Sequence, residues 1–299
     1  MTDLTNFDLS RFTLSEIDKG WSGDKKYHAV DKSDGTSYFL RVSPIQAANN
    51  RAALFDWTKQ VAALDVPMCR PLEIGVCDDG VCSLYSWIDG VDLRENLADL
   101  PLETQYALGV QSGAILRQIH TIPAPIDTED WAARYNRKID AKIAAYKDCG
   151  MRFDGDNFVL DYLAQNRHLL TGRPQHFQHG DYHDGNMMLE SGGGLRIIDF
   201  DRYDIGDPWQ DFNRIVWSAQ TAPRFAAGQI HGYFNGLTPP VEFFRLMALY
   251  IAVNTLASLP WAVQFGQDQI DVFLQQNRDV LAWFDDFKSV IPAWYAALS

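Results

Sequence analysis

The residues best suited to chemistry lie in Gln178-His179-Gly180-Asp181-Tyr182-His183-Asp184-Gly185-Asn186, with Ile198-Asp199-Phe200-Asp201 following, Asp199 thirteen residues beyond Asn186. Moving a phosphoryl group from ATP to a hydroxyl needs few protein parts. One carboxylate orients the alcohol and accepts its proton, oxygen ligands hold Mg²⁺ on the β- and γ-phosphates, and a cation steadies the triphosphate. Mg²⁺ is hard and takes a few protein oxygens while keeping water and phosphate oxygens. An Asp and an Asn on one loop, followed across a tight turn by another Asp, supply a base and two such ligands. The plainer alternative, that these side chains only cap turns around Gly180 and Gly185, suits a lone His-Gly-Asp better than two motifs in this order. His179 and His183 sit four apart, as a helical zinc pair would, but the flanking glycines oppose a helix. They are expected to hydrogen-bond the loop backbone.

The segment resembles the H-G-D-x-x-x-x-N catalytic loop of the aminoglycoside phosphotransferase family, which is related to choline/ethanolamine kinases and more distantly to protein kinases. The likeness extends to Gly206-Asp207-Pro208 and Asp211, to the stretch Gly20 to Tyr27, and to Ser86-Trp87-Ile88-Asp89-Gly90. It implies Asp181 as catalytic base, Asn186 and Asp199 as Mg²⁺ ligands, and ATP as phosphoryl donor. It also implies the family's fold, an α+β, protein-kinase-like arrangement of a small antiparallel β lobe and a large helical lobe.

On the nucleotide side the family's lysine is matched by Arg41, which keeps the charge but not the geometry. The expected partner glutamate is missing, and Asp56 is the only acid in the following helix. Lys25 and Lys26 could share phosphate duty, and the turn Gly20-Trp21-Ser22-Gly23 permits close backbone approach to phosphates. Phe39, two residues before Arg41, leaves the same strand face, where it would lie against adenine or pack in the sheet core. The connector from Ser86 to Ile88 resembles the hinge that reads the adenine edge through backbone groups. Asp201 is expected to reach a second Mg²⁺, whereas Asp207 and Asp211 are expected to organise the turn and the next helix.

The elements that must position these groups change character along the chain. Strand patterns and the Asp34-Gly35 turn predict a hairpin ending in Ser37–Val42, with further strands at 72–76 and 81–87 and one helix over 47–64 between them. Leu108, Ser112, Ile115, Leu116 and Ile119 mark one helix face. Helices are also expected at 134–146 and 157–170. A hairpin, 186–190 and 195–200, interrupts them, and from Trp209 on the pattern is helical. We therefore expect a nucleotide-binding lobe over residues 1–88 and a catalytic and acceptor-binding lobe over 89–299.

Of 299 residues, 46 % are hydrophobic and 22 % charged, as in ordinary globular proteins. The net charge of −13 disfavours nucleic acid and anionic membranes. No secretory signal is visible, and the apolar stretch 246–265 is interrupted by polar residues and Pro260, so a soluble cytoplasmic enzyme is expected. The four cysteines show no metal or disulfide spacing. The acceptor is expected to be a small, cationic, hydroxylated molecule, with an aminoglycoside-like compound as leading candidate, because Asp154, Asp156, Asp161, Asp268, Asp271, Asp285 and Asp286 would suit a polyamine. The alternatives are a choline or amino-alcohol kinase using Trp209, Trp217 and Trp261, a sugar kinase, or a nucleotide-binding module that has lost turnover.

Overall fold

Residues 4–18 and 23–297 are described by the structure, a computed structural model. Ser22 and most of its turn lie outside the described residues. The chain divides into two compact units, Met1–Asp92 with Asn186–Asp201, and Leu93–Gly185 with Arg202–Ser299. The hairpin embedded in the helical half of the sequence thus belongs to the first unit.

The chain begins with β1 (Thr5–Asn6), β2 (Phe12–Glu16), β3 (Lys25–Asp31) and β4 (Ser37–Ser43), then helix α1 (Ala48–Ala63), β5 (Pro71–Cys77), β6 (Gly80–Ser86) and β7 (Gly90–Asp92). Six strands form one sheet in the order β1-β5-β6-β4-β3-β2, antiparallel except where β1 joins β5. Strand alternation gives the sheet two apolar faces. Leu40, Val42, Cys82 and Leu84 pack with Phe7, Phe12 and Ala29 on one, while Val81, Tyr85 and Ile74 meet Phe55 of α1 on the other.

The β3–β4 turn is held by Asp31, which accepts hydrogen bonds from the Ser33 N–H and hydroxyl and from Arg11 Nε. Ser33's hydrogen bonds, then Arg11, depress the Asp31 carboxyl to about 2. A depressed carboxyl contributes stability that is complete above its unfolded value of about 3.9 and disappears as pH falls through the folded one. The stability gap between wild type and Asp31→Asn, read from urea denaturation, should therefore be constant above about pH 5 and shrink from about pH 4 to pH 2.

The second unit opens with α2 (Leu93–Leu97), α3 (Leu102–Ile119), α4 (Trp131–Asp148), α5 (Asp156–Asn166) and β8 (His176–Gln178). The chain then enters the first unit as β9 (Met187–Glu190) and β10 (Leu195–Ile197), which join β7 in a three-stranded sheet ordered β10-β9-β7. It continues through β11 (Asp204–Gly206), a 3₁₀ segment Pro208–Arg214, and helices α6 (Ile215–Thr221), α7 (Pro223–Tyr233), α8 (Val241–Ala262), α9 (Gln267–Trp283) and α10 (Ala293–Ala296). The β11–β8 pairing sets Asp204 opposite Gln178, so the loop starting at His179 leaves the sheet beside Arg202–Asp204. α8 with its 3₁₀ extension, Val241–Phe265, is long and apolar enough to cross a membrane, and 72 % of its apolar window is buried. It packs on α4, α5 and α9, as a core helix does.

Candidate active site

In the second unit, the loop carrying Asp181 is clamped through its backbone. The N–H groups of His179 and Gly180 donate to the two oxygens of Asp211, at 2.8 and 2.7 Å. Asp211 is buried and also meets His120 Nε2 at 3.0 Å. Gly180 has φ +81°, and a Cβ there would lie 1.7 Å from the Arg202 carbonyl oxygen, so only glycine fits. The buried His179 ring accepts the Asp181 N–H, and His183 Nδ1 accepts the Gly185 N–H. Both histidines thus serve the loop, and among the described residues no cluster of three His, Cys, Asp or Glu side chains could hold a metal.

Asp181 faces three nitrogen groups: Arg214 Nε at 3.0 Å, His183 Nε2 at 3.6 Å and Arg202 Nε at 3.8 Å. Burial alone would raise its pKa, but the His183 hydrogen bond and the charges of Arg214 and Arg202 hold it far below the ordinary carboxylate range. Desolvation has the opposite result at Arg214, whose pKa is lowered despite Asp181. Asp184, also buried, is held by Arg94 at 3.1 Å and by the Ser218 hydroxyl. Asp207 caps the 3₁₀ segment by accepting from the Trp209 N–H and is bound by Arg173 and the Tyr250 hydroxyl. Asp207 and Asp211 thus organise the loop and the following helix.

In the first unit, Asn186 and Asp199 are brought together by the hairpin, where the Ile198 N–H donates to the Asn186 carbonyl at 3.0 Å. Asp199 adopts φ +64°, a conformation rare for a residue with a side chain, and its buried Oδ1 makes no hydrogen bond. An oxygen donor held under backbone strain and without a hydrogen bond fits a hard cation that completes its shell with other oxygens.

Arg41 is 6 % exposed and lies under Asp201, with Asp199 Oδ1 at 3.8 Å and Asp24 Oδ2 at 3.9 Å. Burial works against its charge, but Asp201 and then Asp199 raise its pKa. Arg51 of α1 completes the square, 2.8 Å from Asp201 and 2.5 Å from Asp24. Asp201, expected from sequence to reach a second Mg²⁺, is paired here with both Arg41 and Arg51. It supplies, with Asp24, the negative charge that the absent helix glutamate would have given Arg41.

Strand register revises the lysine assignment. Lys26 stands directly opposite Arg41 in the β3–β4 pairing, whereas Lys25 stands opposite Val42 and is exposed. Desolvation, then Arg41, lowers the Lys26 pKa. Phe39 shares the Arg41 face, its ring 6.0 Å from the guanidinium and 6.1 Å from the Tyr85 ring, beside a cavity of about 30 Å³ lined also by Leu54, Cys69 and Asp199. The Ser86 N–H donates to the Arg70 carbonyl at 2.9 Å, at the end of β6 where the connector that includes Ile88 begins.

Several of the aromatic and acidic groups considered for the acceptor have partners within the chain. Arg173 covers the Trp209 ring at 4.0 Å and Arg94 the Trp217 ring at 5.5 Å, while Trp261 stacks near Phe265. Asp156 accepts from the Tyr146 hydroxyl, Asp271 from Gln267, and Lys288 bridges Asp285 and Asp286.

A protein-kinase-like α+β fold with a clamped His-Gly-Asp loop and a strained Asp after the following hairpin defines a phosphotransferase. The profile of the phosphotransferase enzyme family matches residues 13–244, and the chain belongs to that family. Among solved structures, a choline/ethanolamine kinase family protein from Mesorhizobium loti shares 19 % identity and a TM-score of 0.66, over 95 % of this chain and 92 % of that one. A thermostable mutant of aminoglycoside phosphotransferase APH(4)-Ia gives 17 % and 0.64, over 90 % and 94 %. The streptomycin–ATP–APH(2")-IIa ternary complex gives 14 % and 0.63, over 90 % and 92 %. At these identities the likeness is one of fold. Comparison with curated sequences gives no match.

Proposed function

We propose that this enzyme transfers the γ-phosphoryl group of ATP to a hydroxyl of a small molecule. The observation that carries this reading is Asp181, kept ionised by Arg214, His183 and Arg202 on a loop whose backbone Asp211 immobilises. Asp181 orients the acceptor hydroxyl and takes its proton as the bond to phosphorus forms. Asn186 and Asp199 would hold Mg²⁺, which supplies charge neutralisation on the β- and γ-phosphates. Arg41 and Lys26 steady the triphosphate, Phe39 lies against adenine, and the Ser86 carbonyl and Ile88 N–H read its edge. Nucleotide binding is thus assigned to the first unit and acceptor binding to the second. A fold relative solved with streptomycin and ATP supports a hydroxyl-bearing small molecule as acceptor. Four free cysteines fit a reducing cytoplasm, and the charge of −13 fits a protein without nucleic-acid or membrane partners.

The test is Mg²⁺-dependent ATP consumption across aminoglycosides, amino alcohols, sugars and hydroxy acids, with phosphorylated product confirmed by mass. The second reading, a nucleotide-binding module without turnover, is favoured by the neutralisation of Arg41 by the chain's own acids. Binding of Mg·ATP with no acceptor consumed would select it. Arg41→Ala should raise the KM for ATP by about tenfold or more, the loss of one charge-assisted phosphate contact. An unchanged KM beside a raised one in Lys26→Ala would transfer that duty to Lys26.

A further inference from the structure

The charges around Asp181 bear on the acceptor. Two guanidinium groups, Arg214 and Arg202, share this one carboxylate. The next acids are committed: Asp211 binds the loop backbone and His120, and Asp204 binds Arg134 at 2.6 Å. α4 runs beside Asp204, close in sequence to Arg202, where Arg134 pairs with that acid, while Arg137 is paired with Glu129 at 2.6 Å. In a chain of charge −13, this helix carries Arg134, Arg137, Lys138, Lys142 and Lys147 against only Asp140 and Asp148. Arg134 and Lys138 are one turn apart, stacked over Trp131 and Tyr135 at 4.9 and 5.3 Å. Lys138 is held below its ordinary pKa chiefly by desolvation, with Arg134, Lys142 and Arg214 acting in the same direction against Asp204. The chain's overall negative field is screened beyond about 8 Å in physiological salt, so the charges nearest Asp181 weigh most on what docks there.

We propose that the acceptor carries an anionic group, carboxylate or phosphate, beside its reacting hydroxyl, and that Arg214, Arg202 and Lys138 receive it. The inference rests on the role of Asp181 given above. A guanidinium fork suits planar or tetrahedral oxyanions, and a lysine adds a point charge. A polycation would instead bring its ammonium groups against these side chains.

The experiment compares glycerate and gluconate, glycerol 3-phosphate and ribose 5-phosphate, glucose, choline and gentamicin. Each is assayed for transfer from Mg·ATP and, separately, for binding by calorimetry in the presence of a non-hydrolysable ATP analogue. At least one anionic compound should exceed glucose by tenfold or more in kcat/KM and in affinity, and the carboxylate and phosphate arms separate the two oxyanions. In Lys138→Gln the KM for that compound should rise about fivefold or more with kcat and the KM for ATP little changed, and Lys138→Glu should raise it further. Preference for gentamicin or choline, binding of no anionic compound, or a Lys138 effect confined to ATP would each overturn the proposal. If anions bind but Asp181→Asn still transfers phosphate, the acceptor class stands and the role of Asp181 falls.

Discussion

Asp181→Asn should lower kcat for phosphoryl transfer by about 10²- to 10⁴-fold while the KM for ATP changes by less than about threefold. Asparagine keeps the size of the side chain but cannot take a proton. It also leaves Arg214 and Arg202 without their shared carboxylate. Breaking a fully buried pair costs about 3–5 kcal/mol. Both partners here are about one-fifth exposed, so solvent lowers that cost and the variant should fold. Circular dichroism and thermal melting establish folding, and initial rates at saturating ATP measure the loss. Near-wild-type kcat would remove Asp181 from the chemistry. Because its carboxyl is held far below the ordinary range, the wild-type rate should show no acid limb from this group above about pH 4. A base this weak suits a loose transition state, in which orientation counts for more than early proton removal.

The second large effect lies at the crossing of α3 and α7. Gly109 and Gly113 of α3 face Gly228 and Gly232 of α7, each pair four residues apart on its helix. A Cβ on Gly113 would lie 2.0 Å from the Gln229 carbonyl oxygen, and one on Gly232 2.0 Å from that of Val110. Glycine inside a helix costs about 1 kcal/mol relative to alanine, so four of them reflect the close backbone approach. Gly113→Ala gains that propensity but must push two backbones apart, for a net loss of about 1–3 kcal/mol. Gly113→Leu should prevent folding or lose more than about 3 kcal/mol. The disturbance reaches the site, since the Tyr182 hydroxyl, one residue from Asp181, donates to the Ser112 carbonyl at 2.8 Å. Denaturant unfolding of both variants measures the loss, and a Gly113→Ala protein as stable as wild type would contradict the packing argument.

Legibility in the sequence followed how local each feature is. The β3–β4 hairpin, α1 and the run of C-terminal helices were readable because periodicity and turn residues act over a few positions. The two-residue strand β1, the joining of β7 to the embedded hairpin and the β8–β11 pair were not, because strands of two or three residues carry no period. Ser112 was read on the buried face of α3, yet the neighbouring glycines that set its distance to α7 were not. A glycine four residues from another looks unremarkable until the second helix lies against it.

What the sequence by itself determined is the reaction class. His179 to Asn186 and Asp199 need only short-range spacing to display the motif shared with the phosphotransferase family. Tertiary structure decided how those groups are held and charged. Register chose Lys26 over Lys25 for the Arg41 face, because strand side chains alternate and a shift of one residue changes sides. Folding carried Asp24, Arg51 and Asp201 to Arg41, replacing a glutamate that the helix lacks, and carried Arg214 to Asp181. These partners are separated by tens of residues along the chain. Electrostatics depends on distance through space, which only the folded chain defines.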